Sequence, residues 1–138
     1  MKKNKWDDPY AKRARREKYP ARSVYKLQEI DKKYRIIRRG FKVLDLGCFP
    51  GSWSQYAIEK AGPGGEVAGI DLTRPEKMVS SGFAFIQGDV LDMDVERLTR
   101  HVGSRDLVLS DLAPATTGVR STDAARSTRL AGRALEIA

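Results

Sequence analysis

Cysteine, histidine and long apolar runs are nearly missing from this chain of 138 residues, which holds one cysteine, Cys48, and one histidine, His101. A single cysteine cannot close an intramolecular disulfide, so the expected compartment is reducing and cytoplasmic, and Cys48 reads as a packing residue. His101 has no second histidine or cysteine cluster to join, so it reads as structural or exposed, and no metal is expected. No stretch approaches the roughly 20 apolar residues of a membrane span, and the opening residues are charged where a signal peptide has its apolar core, so no membrane partner is expected. Repeats and linkers are lacking too, and the length suits a single core.

Positive charge is what the chain has in excess. It carries 26 Lys and Arg against 18 Asp and Glu, a formal net charge of +8. Between Met1 and Lys42 stand 16 basic and 5 acidic residues, a balance of +11, while the remainder has 10 basic and 13 acidic, a balance of −3. The expected division is a basic arm over residues 1–21 and a folded domain over 22–138. A polyanion is the natural partner of such an arm, because neutralising phosphates releases condensed counterions. Tyr10, Tyr19 and Tyr25, interleaved with Lys12, Arg13, Arg15, Arg16, Lys18 and Arg22, offer stacking on unpaired bases. For residues 1–18 the alternative of a solvated tail stays open.

Past the arm the apolar pattern alternates between helical and strand periods, broken at Gly40 and at Gly62-Pro63-Gly64-Gly65. Leu27, Ile30, Tyr34 and Ile37 fall three or four apart and predict a helix over 23–37 with that apolar face. Short apolar runs predict strands over 42–46, 66–70, 83–86 and 106–109, of the kind covered on both faces. Helices are expected over 54–60, 95–102 and 123–138, the last with Leu130, Ala134 and Ile137 on one face. The fold class is therefore α/β, a doubly wound parallel sheet of Rossmann-like type. Four strands with the fourth at an edge leave an apolar helix face uncovered, so later strands are expected to be missing from this chain.

Asp45-Leu46-Gly47-Cys48-Phe49-Pro50-Gly51-Ser52-Trp53-Ser54-Gln55 joins the first strand to the next helix, the place where an open α/β sheet binds a small molecule. A dinucleotide site asks for G-x-G-x-x-G, whereas this loop reads G-x-x-x-G with Asp45 two residues ahead, which disfavours nicotinamide and flavin and suits S-adenosylmethionine. The segment resembles the cofactor loop of the FtsJ/RrmJ-like RNA ribose 2′-O-methyltransferases. Cys48-Phe49 stands where that family usually has a small pair, and Ser52 where glycine is common. The resemblance spans about Tyr10 to Ala138 and implies an S-adenosylmethionine-dependent methyltransferase domain over 22–138.

Four carboxylates, Asp45, Asp71, Asp89 and Asp111, sit at or just past strand ends, where ligands collect. Each alone also suits a helix cap. By the resemblance, Gly47, Pro50, Gly51 and Trp53 belong to the cofactor loop, Asp71 takes both ribose hydroxyls, Asp89 accepts from the adenine amino group, and Asp45 steadies the loop or the methionine end. Ser110-Asp111-Leu112-Ala113-Pro114 resembles the segment that carries the family's catalytic aspartate, which places Asp111 beside both cofactor and substrate. Lys26, within Arg22-Ser23-Val24-Tyr25-Lys26-Leu27-Gln28-Glu29-Ile30, resembles its first catalytic lysine; the bland alternative is a surface lysine.

The family's site has two lysines, an aspartate and a glutamate. Lys26 and Asp111 match two of them, and the second lysine and the glutamate are expected beyond Ala138. The leading reading is methyl transfer to a ribose 2′-hydroxyl of large-subunit ribosomal RNA, with RNA or the large ribosomal subunit as partner. A non-catalytic RNA-binding or cofactor-binding fragment, a transfer-RNA 2′-O-methyltransferase and a small-molecule methyltransferase are the alternatives.

Overall fold

A computed structural model describes residues 8–76, 82–112 and 118–138. The elements run α1 (Pro9–Arg16), α2 (Val24–Tyr34), β1 (Lys42–Leu46), α3 (Ser52–Ala61), β2 (Glu66–Asp71), β3 (Phe83–Gln87), α4 (Val95–Val102), β4 (Leu107–Ser110) and α5 (Arg120–Ile137). All strand pairs are parallel, in the order β3-β2-β1-β4. The chain winds outward from β1 to β3, then crosses back to place β4 on the other side of β1. A topological switch point therefore lies between β1 and β4, and a crevice opens outside their carboxyl ends.

Strand alternation sorts β1 between two cores. Val43 packs with Leu27, Val24, Ala57, Val67 and Leu109 on the side of α1 to α3. Leu44 and Leu46 pack with Ala68, Ile70, Val90 and Leu98, against which Ala134 and Ile137 also lie. Ala134 and Ile137 thus share a face as their spacing predicts, while Leu130 faces the crevice.

Three expectations need correction. The helix predicted over 23–37 stops at Tyr34, because Arg35 adopts the left-handed conformation at φ 51 and closes the helix through its N–H on Asp31 O. Its buried face is also turned: Leu27 and Ile37 are buried, but Ile30 and Tyr34 are 37% and 64% exposed, and Asp31 is buried in their stead. That carboxylate accepts from Ile37 N at 3.0 Å and from the Tyr56 hydroxyl at 2.8 Å, two hydrogen bonds that offset its desolvation. The fourth strand starts at Leu107, since Asp106 turns its carboxylate onto Lys42 N at 2.8 Å.

Residues 8–21 contain a helix that the sequence reading does not place. Asp8 caps it by accepting from Tyr10 N at 3.0 Å, and Pro9 opens it. Ala14 is buried in the core, and the Tyr19 hydroxyl donates to Glu59 on α3 at 2.8 Å. The stacking expected of three tyrosines shrinks to one: Tyr25 is 8% exposed, Tyr19 packs against the core, and Tyr10 keeps 52% of its surface. Residues 1–7 of the arm lie outside the described residues.

Candidate active site

Crevice walls come from the loops that follow each strand. A cavity of about 460 Å³ is lined by Gly47 after β1, Asp71 and Leu72 after β2, Gly88 and Asp89 after β3, and Asp111 and Leu112 after β4. Arg126, Arg129 and Leu130 of α5 close one side. The volume lies within the range of small-molecule sites.

Gly47 takes φ +75, a conformation that strains other residues, and a Cβ there would come within 2.6 Å of Leu112 Cδ2 and displace that side chain. Its N–H and that of Cys48 both donate to Ile70 O, at 2.8 and 3.1 Å, which ties the loop to β2. Gly51 takes φ 114 and caps α3. Pro50, Gly51 and Trp53 do not line the cavity. Trp53 is buried, and its indole N–H donates to Ser23 O at 2.9 Å, which fastens the start of α2 to α3. Cys48 is buried, and its thiol is pushed up to about 12 by desolvation and then by Asp45 and Asp71.

The four carboxylates occupy different depths. Asp71 is oriented from both sides: Oδ2 accepts from Phe49 N at 3.0 Å and Oδ1 from Thr73 N at 3.1 Å. Asp89 accepts from Leu91 N at 2.9 Å and lines the same cavity. Asp45 lies beneath the floor, 1% exposed, and takes the Ser54 hydroxyl at 2.7 Å. Its carboxyl is pushed up to about 7, first by burial and further by Asp111 and Asp71, against the Ser54 hydrogen bond. Both upward shifts come first from burial, with the neighbouring carboxylates adding to them.

Asp45 gives the fold a pH dependence. The folded pKa of about 7 lies above the ordinary 3.8, so the folded chain holds this proton more tightly. The stability it contributes is complete below 3.8 and is lost as pH rises through about 7. Asp45→Asn keeps an acceptor for Ser54 and removes the titration. Denaturant midpoints across this window should fall less with rising pH in the variant than in the parent; parallel curves would show that Asp45 is ionised throughout.

Lys26 and Asp111, separated by 85 positions, meet across the mouth of the crevice with Lys26 Nζ 3.4 Å from Asp111 Oδ1. Their side chains are 63% and 39% exposed, so the contact contributes little stability and its meaning is positional. Lys26 also lines a groove of about 680 Å³ between α1 and α2, with Tyr10, Arg13, Arg22, Tyr25 and Lys32. Arg22 lies over the Tyr10 ring at 5.3 Å and pairs with Asp8. The Lys26–Asp111 pair thus joins an acidic cavity to a basic groove. Ala113 and Pro114, which complete the motif around Asp111, lie outside the described residues.

The sequence reading missed the α5 wall. Arg126, Arg129 and Leu130 fall three and four apart, a readable helical face next to the apolar one. Among the described residues no group of three or more His, Cys, Asp or Glu is placed to hold a metal ion. No helix among them is long and apolar enough to cross a membrane.

Comparison with known proteins gives a consistent result. The family model described as FtsJ-like methyltransferase matches residues 19–138. A protein of Desulfosudis oleivorans named ribosomal RNA large subunit methyltransferase E is 50% identical over 99% of this chain and 66% of its own length. One of the same name in Desulforapulum autotrophicum is 49% identical over 99% of this chain and 68% of its own. The chain thus spans about two thirds of the length of these curated relatives. A crystal structure named for a ribosomal RNA methyltransferase of Plasmodium falciparum superposes with a TM-score of 0.70 at 29% identity, over 83% of this chain and 68% of that one.

Proposed function

Because the chain belongs to the FtsJ-like methyltransferase family, we propose that it binds S-adenosylmethionine in the crevice and serves methyl transfer to a ribose 2′-hydroxyl of large-subunit ribosomal RNA. The relatives' name supplies the substrate class. The observation that carries the reading is the Lys26–Asp111 contact at the junction of the acidic cavity and the basic groove.

The cavity fits the cofactor. Asp71 and Asp89 are oriented acceptors for hydroxyl and amino donors, Leu72, Val90, Leu91, Leu112 and Leu130 supply apolar walls, and the lining carboxylates of Asp71, Asp89 and Asp111 suit a cation. When bound, S-adenosylmethionine supplies an electrophilic methyl group on a sulfonium. The chain's residues align the ribose oxygen, and the proton that the oxygen gives up passes to a base, the role that the resemblance gives to the family's second lysine. Lys26 brings a positive charge to where negative charge develops on the 2′-oxygen. Asp111 holds the ammonium there. The reading places the protein in the cytoplasm, where ribosomal subunits are made.

RNA enters along the groove between α1 and α2, over Tyr10. Lys12 and Arg16 on the exposed face of α1 act through charge alone. Lys12→Gln combined with Arg16→Gln should flatten the log-affinity against log-salt slope for a ribosomal RNA fragment by roughly 1.4, at about 0.7 per phosphate contact. Tyr10→Ala should weaken binding by about 1–3 kcal/mol at every salt concentration while keeping the slope. Filter binding checks both; affinity and slope unchanged in all three substitutions would remove RNA contact by α1 from the reading.

A further inference from the structure

We infer that the RNA strand does not end its contact at the groove but continues along α2 to a second phosphate-binding patch, built from Arg35, Arg38 and Lys60 at the opposite end of the sheet. The inference rests on RNA being the substrate.

α2 starts at the crevice, where Lys26 in its first turn touches Asp111, and finishes at Tyr34 on the side where the strands begin. α3 runs the same way, from Ser52 at the cofactor loop to Ala61. Their last turns and the loop into β1 enclose a cavity of about 510 Å³ lined by Asp31, Lys32, Arg35, Arg38, Tyr56 and Lys60. Lys32 lines both this cavity and the groove that holds Lys26, so the two concave surfaces are neighbours on α2. At about 1.5 Å per residue, Lys26 to Arg35 spans roughly 14 Å of helix. At ~3.4 Å per nucleotide of a stacked strand, that is about four phosphates.

Four cations face one carboxylate here, and that carboxylate is occupied. Asp31 is buried and accepts from Ile37 N and the Tyr56 hydroxyl, so it braces the loop rather than pairing with the surface charges. Lys32, Arg35, Arg38 and Lys60 are exposed, and none forms a salt bridge among the described residues. Lys60 lies over the Tyr56 ring at 5.6 Å. A rival account is that cations suit helix C-termini. It covers Lys32 and Lys60, which stand in last turns, and Arg35, which caps α2, but not Arg38, which lies past the end of α2.

The test is fluorescence anisotropy with two oligouridylates, one long enough to cover the whole track and one that reaches only the groove. The parent chain should bind the long probe more tightly and with the steeper salt dependence. Arg35→Asn, which tolerates the left-handed backbone, combined with Arg38→Gln and Lys60→Gln, should weaken the long probe on the order of 10-fold and flatten its slope by roughly 2, at about 0.7 per lost single-strand contact. Affinity for the short probe and for S-adenosylhomocysteine should not change. Arg38→Gln alone, in an exposed loop, should give part of the effect without touching the fold. Unchanged binding of the long probe, with or without a lower melting temperature, would assign the cations to the helix ends and overturn the inference; so would equal binding of the two probes by the parent. If the parent binds S-adenosylhomocysteine but neither probe, the RNA reading itself fails.

Discussion

In a form of the protein as long as its curated relatives, methyl transfer is expected to fall on the order of 10²–10³-fold in Lys26→Ala, with affinity for S-adenosylhomocysteine and thermal stability close to those of the parent; the 138-residue chain itself should bind the cofactor yet transfer methyl groups poorly. The size follows from removing a positioned charge from the place where an oxyanion develops. The selectivity follows from placement. Lys26 lies across the mouth from the cavity, touches it only through Asp111, and is 63% exposed, so its loss neither unpacks the core nor strips a cofactor contact. Asp111→Asn should lower transfer as well, because the ammonium loses its charged anchor at 3.4 Å. Lys26→Arg keeps the charge but not the geometry, and should recover only part of the rate. Single-turnover rates with saturating cofactor, read beside calorimetric affinities, check this. A Lys26→Ala protein with full turnover would remove Lys26 from the reacting centre.

Asp71→Ala is expected to weaken S-adenosylhomocysteine by roughly 10-fold to 150-fold, corresponding to about 1.5–3 kcal/mol for hydrogen bonds to a charged group. Two backbone N–H groups, those of Phe49 and Thr73, aim the carboxylate before any ligand arrives. The substitution also leaves those donors without their acceptor and loosens the loop after β1, so Asp71→Asn is the cleaner companion. It keeps an acceptor for one N–H, loses the charge, and should fall between parent and alanine. Titration calorimetry reads all three, and equal affinities would place the ribose elsewhere.

Much of this site is readable from the chain because its chemistry sits at fixed points of a repeating unit. Each of Asp71, Asp89 and Asp111 follows a short apolar run, and a parallel sheet brings the ends of such runs to one edge. Gly47 and Gly51 mark a turn that other residues would strain. What is not readable is whatever depends on how helices rotate and dock. The spacing of Leu27, Ile30 and Tyr34 is a sound helical stripe, but the stripe that packs includes Asp31, whose burial depends on Tyr56 25 positions away. Trp53 belongs to the loop motif by position, and its ring is spent on Ser23 rather than on the cavity. α1 is short and strongly polar, with Ala14 its one buried residue, so it carries no stripe of large apolar side chains; the clearer signal is Asp8-Pro9, a cap followed by a favoured first helical residue. The meeting of Lys26 with Asp111 needs the full topology, since only the β4 crossover brings residue 111 beside the start of α2.

The central claim is that the crevice and the Lys26–Asp111 pair serve transfer of a methyl group to a ribose oxygen. The most direct measurement, made on a form as long as the curated relatives, is incorporation of labelled methyl from S-adenosylmethionine into large-subunit ribosomal RNA lacking its methylations, followed by alkaline hydrolysis. The account predicts label in alkali-resistant dinucleotides, where a 2′-O-methyl group blocks cleavage, with that product lost in Lys26→Ala. Label recovered on a base, or dinucleotide label that persists in Lys26→Ala, would contradict it.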